Sequence, residues 1–438
     1  MRSRSPFAWL LRKEWRELMA SRAWWVLLTL TGPLVGLSFI QGVRAFSEVS
    51  EGAGAGCGAA CAPLIGVWGP TFGAYEISAA FLLPFVAIRM VSGDRQSGAL
   101  VIEMQRPIGA ITRIAAKALV LLAGWTLTGL AALVAVALWK SYGGAASSSE
   151  IMVVALGHFL NGALTIALGL AIAASTDHPS TAAIVTLAIT IGTWIIDFAA
   201  AIQGGIWATI ARFTPTAMVS MFQHALIQTN VLMIAIIGTL AAITVAAIGL
   251  QIGRPETERA IRAGVIGAAA AVAIFAAAML RGSWDASESR QNSFGESEEQ
   301  AIESLKSPLQ IEMHLSPQDP RRRQFERGPL AKLRRVVPHL TVSSVARTST
   351  GIYEQADPGY GEIHFIYGGH VAATRVVTDE GAIETIFDVA QIPTPTESDP
   401  PYMGHPFVGR ASGAPLLFYG IWPVLTIGAA LFAARRHA

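Results

Sequence analysis

The residue types that could do chemistry lie in short polar stretches between long apolar ones. The richest reads Arg89-Met-Val-Ser-Gly-Asp94-Arg95-Gln-Ser-Gly98-Ala99-Leu100-Val-Ile-Glu-Met-Gln105-Arg-Pro107, followed by Arg113 and Lys117. Gly98 permits a turn, Ala99 to Gln105 reads as a short helix, and Pro107 ends it. A rigid helix of this kind can transmit force from a partner; the alternative is an ordinary basic loop. His158, Asn161, Asp197 and Glu76 fall inside apolar stretches. Ionisable groups there are functional candidates by default. His158 and Asn161, one helical turn apart, and Asp197 are candidates for lining a transport path. Satisfaction at an interface or a small-residue helix contact is the alternative. Cys57 and Cys61 are the two cysteines. They read as a local disulfide, as free thiols or as a soft-metal site. His364 and His370 flank Gly368-Gly369 and would meet across that turn, as metal ligands or as packing residues. Arg321, Arg322, Arg323, Arg327, Arg334 and Arg335 lie on one predicted helix, either solvated or facing an anionic partner.

Several chemistries lack their motifs. The sequence has no Gly-x-x-x-x-Gly-Lys-[Ser/Thr] loop, so it holds no ATPase engine of the usual kind. His-Glu-x-x-His, Gly-x-Ser-x-Gly and Ser-x-x-Lys are also absent, which disfavours a membrane enzyme. Gly52 to Gly58 superficially resembles a dinucleotide loop, but it follows no predicted strand and reads as an outer loop. No basic stripe is interleaved with aromatics, so nucleic acid is not expected.

Those groups are carried by a membrane-type chain. Of its 438 residues, 52% are hydrophobic and 14% charged, with a mean hydropathy of +0.47. Soluble domains carry about 25% charged residues. Residues 282–412 hold 30 of the 62 charges. Eight stretches are long and apolar enough to span a bilayer: 23–42, 71–91, 113–138, 151–174, 180–202, 230–251, 262–281 and 414–434. Residues 203–229 read as an interfacial or re-entrant segment. Lys and Arg number 16 in the segments assigned inside and 4 in the short outer ones. That bias predicts both termini in the cytoplasm and residues 282–412 outside. No cleavable signal is predicted. Phe7 to Met19 has apolar residues at helical spacing and cations opposite, which predicts an elbow helix on the inner surface rather than an extension of span one.

The expected fold class is mostly α, a polytopic membrane protein with about eight spans and a small α/β domain between the last two. In that domain Leu309–Leu315 and Leu340–Val345 read as strands, Gln318–Val337 as one basic helix, and Glu380–Ala390 as another helix. Glu362–Tyr367 and Val371–Val377 read as a strand pair, and Pro393, Pro395, Pro400, Pro401 and Pro406 as an extended return to the membrane.

Asp94, Arg95, Gly98, Leu100 and Pro107, with Lys117 beyond, resemble the coupling-helix region of ABC-2-type permeases. There the pattern is an acid-Arg-x-x-Gly-Thr-Leu followed by Pro. Asp94 for the commoner Glu, Ala99 for Thr, Glu103 in an apolar stretch and Ala116 before Lys117 depart from it. Ala167 to Asp177, Phe213-Thr-Pro-Thr216 and Phe222 to Thr229 resemble the gliding-motility type of these permeases. Asp285-Ala-Ser-Glu-Ser-Arg290-Gln-Asn-Ser293-Phe294, Gly361 to Gly369 and Glu380 to Ile386 are similar to the auxiliary subunit of the same systems, whose domain is Rossmann-like or flavodoxin-like. The resemblance implies an elbow (1–22), a six-helix permease domain (23–252), a seventh helix (262–281), a shortened extracytoplasmic auxiliary domain (282–412), and an eighth helix with a cytoplasmic tail (413–438).

The implied function is the permease subunit of an ABC transporter in a bacterial inner membrane, as a homodimer or paired with a paralogue. Two cytoplasmic ATPase subunits would dock at Asp94–Pro107, at the elbow and around Asp177. This chain would carry no cofactor, ATP and Mg²⁺ being bound by the ATPase. Lipid and an envelope partner at the outer domain complete the expected contacts. The rival reading is a mechanotransmitting or signalling protein, in which the same ATPase drives the outer domain and nothing crosses the bilayer.

Overall fold

The computed structural model describes residues 6–53, 57–105, 107–203, 205–251, 253–316, 319–345, 359–395 and 402–437. Arg2 and Arg4, counted among the inner cations, and Arg106, residues 54–56, Gly204, Gln318, Pro400 and Pro401 lie outside them. The described residues are 72% helical, and the chain divides into two units, 1–280 with 403–438, and 281–402.

The first unit is a helical bundle. Among the described residues eight helices are long and apolar enough to cross a membrane: Arg22–Ala53, Leu64–Gln96, Ala110–Ser141, Ser148–Ser175, Pro179–Gln203, Thr229–Gly249, Glu256–Ala277 and Leu416–Arg435. This is the pattern of a multi-pass membrane protein. Most outrun their apolar stretches, because polar turns continue a helix whose backbone hydrogen bonds are already propagating.

Pro6–Ala20 is a separate helix, broken from span one at Ser21. The Trp25 indole donates to the Met19 carbonyl at 2.7 Å and satisfies one orphan acceptor at that break. Leu10, Glu14 and Leu18 form its buried face and pack toward span three. Residues 203–229 hold two short helices, Gly205–Ala211 and Pro215–Gln223. Thr214 N-caps the second, accepting from the Ala217 N–H.

Span eight lies on span one through small residues. The positions where side chains would project from Gly32 and Gly36 are filled by Trp422 and Phe418, as in small-residue membrane packing. Trp422 donates to the Leu28 carbonyl at 3.0 Å, and Thr29 Oγ1 to Thr426 Oγ1 at 3.0 Å. Cys57 and Cys61 are joined as a disulfide, which selects one of the three readings.

The second unit is a four-stranded sheet with helices on one face. The strand order is 340–344, 309–313, 363–367, 370–374. The first pair is parallel and the other two antiparallel, so the Rossmann-like resemblance reaches only one βαβ crossover. Leu309, Ile311, Met313, Ile363 and Phe365 face the helices and, with Phe325, Leu333 and Ile386, make the core. Gly368 and Gly369 have φ of 57° and 88°, the positive pair a two-residue hairpin turn requires.

One predicted element is corrected. The single basic helix is two, Pro320–Arg327 and Pro329–Val336. Pro329 has no N–H to continue the ladder, and a residue before proline avoids the helical region; Gly328 lies outside it at φ −93°, ψ −103°.

Candidate functional site: a braced helix between spans two and three

Three elements meet where span two ends. Gly98, in the left-handed region at φ 73°, turns the chain out of that span. Ala99–Met104 then forms the short helix, before exposed Pro107. Leu100 is its buried anchor, while Val101 and Ile102 are 58% and 63% exposed.

Beneath it lies a cluster of charges. Asp94 comes from the end of span two, Lys117 from span three, Lys13 and Glu14 from the N-terminal helix, and Glu103 from the short helix itself. The Lys117 ammonium lies 2.7 Å from Glu14 Oε2 and 2.5 Å from Asp94 Oδ2. Lys13 Nζ lies 3.1 Å from Asp94 Oδ1 and also pairs with Glu103. The Arg113 guanidinium donates to the Glu103 carbonyl at 3.0 Å. Burial alone would discharge Lys13, but Glu14, Glu103 and Asp94 together outweigh it and raise its pKa. Burial raises Glu14 against the pull of Lys117 and Lys13. Three buried carboxylates share two ammoniums here, and Glu14 is pushed toward its neutral form.

Arg95 reaches the other way. Its guanidinium donates to the carbonyls of Ala173, Ala174 (2.7 Å) and Thr176, orphan acceptors at the end of span four. Asp177 follows in the exposed turn to span five. An open groove of about 820 Å³ runs alongside, lined in part by Glu17, Phe85, Arg89, Gln96 and Pro179.

The structure thus gathers Asp94, Arg95, Gly98, Leu100 and Lys117 at one end of the bundle, with one change of role and two added members. Asp94 is 4% exposed, so it braces the helix from below and offers no face to a partner. Lys13 and Glu14 are members that the spacing argument missed. The available signal was an acid at position 14 on the same helical face as Leu10 and Leu18.

The proposed path residues are not part of this cluster. His158 is 4% exposed and stacks on Phe72 with ring centroids 5.7 Å apart, beside Tyr75. Its carbonyl accepts from the Trp125 indole at 3.1 Å. Asn161 is buried on the same helix. Asp197 Oδ1 accepts from the Thr214 hydroxyl at 2.9 Å, and Gln223 donates to Glu76.

In the second unit, the Asp285 stretch closes on itself. Asp285 accepts from the Ser287 N–H and hydroxyl, from Asn292, and from the Ser293 hydroxyl. Burial works to raise this carboxyl, and those hydrogen bonds outweigh it and hold it below the usual range. Lys332 ties the Ser293 carbonyl to Asp379. The His364–His370 pairing is corrected. In the hairpin register His370 opposes Tyr367 and His364 opposes Ala373; the ring against His364 is His314, 4.4 Å between centroids.

No protein-family model matches the chain, and no curated protein matches it.

Proposed function

We propose that the chain is the membrane-spanning permease subunit of an ABC-2-type transporter, driven by separate ATPase subunits bound at the Ala99–Met104 helix. The observation that carries this reading is the construction of that helix. It exposes Val101 and Ile102 outward and is rooted inward in buried ion pairs. A push on it reaches the N-terminal helix through Lys13, span three through Lys117, and span four through Arg95. Such a rigid junction can shift packed helices between two discrete arrangements. Exposed apolar pairs beside a groove suit a protein partner. In this reading the site faces the cytoplasm of a bacterial inner membrane, residues 282–412 lie outside, and two copies or a paralogue pair complete the core. The ATPase binds ATP and Mg²⁺.

One observation favours a second reading, in which the ATPase moves the outer domain and nothing is carried. His158 is packed among aromatic rings rather than set on an open path.

The test is gentle co-purification from native membranes with mass spectrometry, comparing wild type with Val101→Ser/Ile102→Ser. Recovery of an ABC ATPase with wild type and its loss with the surface variant is the expected result. No ATPase with wild type, or undiminished recovery with the variant, overturns the proposal. Asp94→Ala/Arg95→Ala then tests transmission: binding persists, and ATP hydrolysis no longer responds to the permease.

A further inference from the structure

The open face of the second unit's sheet carries a repeated pattern that the coupling reading does not use. Glu-x-His occurs twice where two strands meet: Glu312-Met-His314 at the end of strand 309–313 and Glu362-Ile-His364 at the start of strand 363–367. The strands are antiparallel, with Glu312 opposite His364. The His314 N–H donates to the Glu362 carbonyl at 2.9 Å and continues that register. Side chains alternate across a sheet. Ile311, Met313, Ile363 and Phe365 are buried in the core, so the two glutamates and two histidines share the opposite face.

There the two histidine rings and the Glu362 carboxylate lie together, with Glu312 across the register from His364. The His314 and His364 rings lie 4.4 Å apart at a tilt of 33°. Glu362 Oε2 is 3.1 Å from His364 Nε2, and these side chains are 27% and 25% exposed. The other Glu362 oxygen accepts from Arg375 at 3.1 Å, and Glu312 accepts from Gln310 at 2.8 Å. Carboxylates oriented by such outer partners are preorganised for ligation.

We propose that Glu312, His314, Glu362 and His364 form a binding site for a divalent transition-metal ion of the zinc type. Two imidazoles with one or two carboxylates are a common Zn²⁺ ligand set, at about 2.0–2.2 Å per bond. Binding turns the two rings from stacking to convergence, which partly exposed side chains on an open face can do. Rigid strands supply the spacing. Elsewhere, the oxygens of Glu14, Asp94 and Glu103 lie within 4.8 Å of one another, but they already hold the ammoniums of Lys13 and Lys117 and are neutralised from within. The metal proposal stands on the sheet register and does not depend on the transport reading.

The experiment uses the full chain in detergent, purified without a polyhistidine tag and stripped with chelator. Co²⁺ is titrated in, and its visible d–d bands report coordination geometry. Zn²⁺ is then added as competitor, with stoichiometry from calorimetry. The expected result is one equivalent of Co²⁺ with a four-coordinate spectrum, displaced by Zn²⁺. His314→Ala and His364→Ala each weaken binding by at least about tenfold, the scale on which even outer-shell partners act. His370→Ala, on the neighbouring strand, binds as wild type. Should an alanine variant fail to fold, the isosteric pair Glu312→Gln/Glu362→Gln is read by the same spectrum and also weakens binding. Absence of a four-coordinate spectrum in wild type, or a spectrum indifferent to both histidine substitutions and to the glutamine pair, overturns the proposal.

Discussion

Replacing Lys117 with methionine tests the brace at its centre. The ammonium is 1% exposed and is shared by Glu14 and Asp94. Its loss leaves three carboxylates around Lys13 alone, itself 18% exposed. Removing one partner of a buried ion pair costs about 3–5 kcal/mol. Here the lower end applies, about 3 kcal/mol, because Lys13 still neutralises part of the cluster and Glu14 is already inclined to take a proton. That is on the order of a hundredfold in the unfolding equilibrium.

The assay is equilibrium unfolding in mixed detergent micelles, followed through the 11 tryptophans. The triple change Lys117→Met/Glu14→Gln/Asp94→Asn removes the excess charge together with its partner and should recover most of the loss. The pH dependence has a defined sign. The folded-state pKa of Glu14 is raised, so the folded state holds more protons than the unfolded one above pH 4.5. Its contribution is full below the unfolded value and fades as pH rises through the folded one. Lys117→Met strengthens that pattern, so its deficit narrows on acidification. If Lys117→Met unfolds within about 0.5 kcal/mol of wild type, the size of an ordinary surface change, or if the triple change is less stable than the single one, the cluster is not the brace described.

Arg95→Lys replaces a fork spanning three carbonyls with a point charge. It should cost about 1–2 kcal/mol and speed hydrogen exchange across residues 173–178; unchanged protection there contradicts the capping role. Gly36→Leu drives a side chain into Phe418 and should displace span eight, read as loss of disulfide cross-linking between Thr29→Cys and Thr426→Cys. Asp285→Asn should cost about 1.5–3 kcal/mol by uncharging a carboxylate that gathers several donors. Asp285 is held low, so its stabilisation is present above pH 3.8 and is lost as pH falls through the folded value. Hydrogen exchange at residues 285–294 should show that acid limb in wild type and not in the variant.

What the sequence disclosed depended on the range of the cause. The spans are local, about twenty apolar residues each, and all eight appear in the fold. The Ala99–Met104 helix is also local, fixed by Gly98 before it and Pro107 after it. The break at Gly328-Pro329 was equally local, but the arginines on both sides share one charge and mask the proline between them. The His364 partner was out of reach of local reasoning. A turn at 368–369 draws attention to His370, while His314 is placed beside His364 by a strand pairing across some fifty residues.

The same limit explains Asp94. Its spacing to Gly98 and Pro107 identified the segment but suggested a residue facing a partner. Burial at 4% turns it inward, to lysines 81 residues before it and 23 after it. A carboxylate this buried, and held by two ammoniums, cannot reach a docking protein without breaking the brace. In the proposed coupling role, recognition would rest on what the short helix leaves outside, Val101 and Ile102, while Asp94 would determine whether a displacement of that helix is felt by the spans. Binding and transmission are then separable by mutation: substitutions at 101 and 102 should abolish capture of an ATPase, whereas substitutions at 94 should leave capture intact and uncouple it.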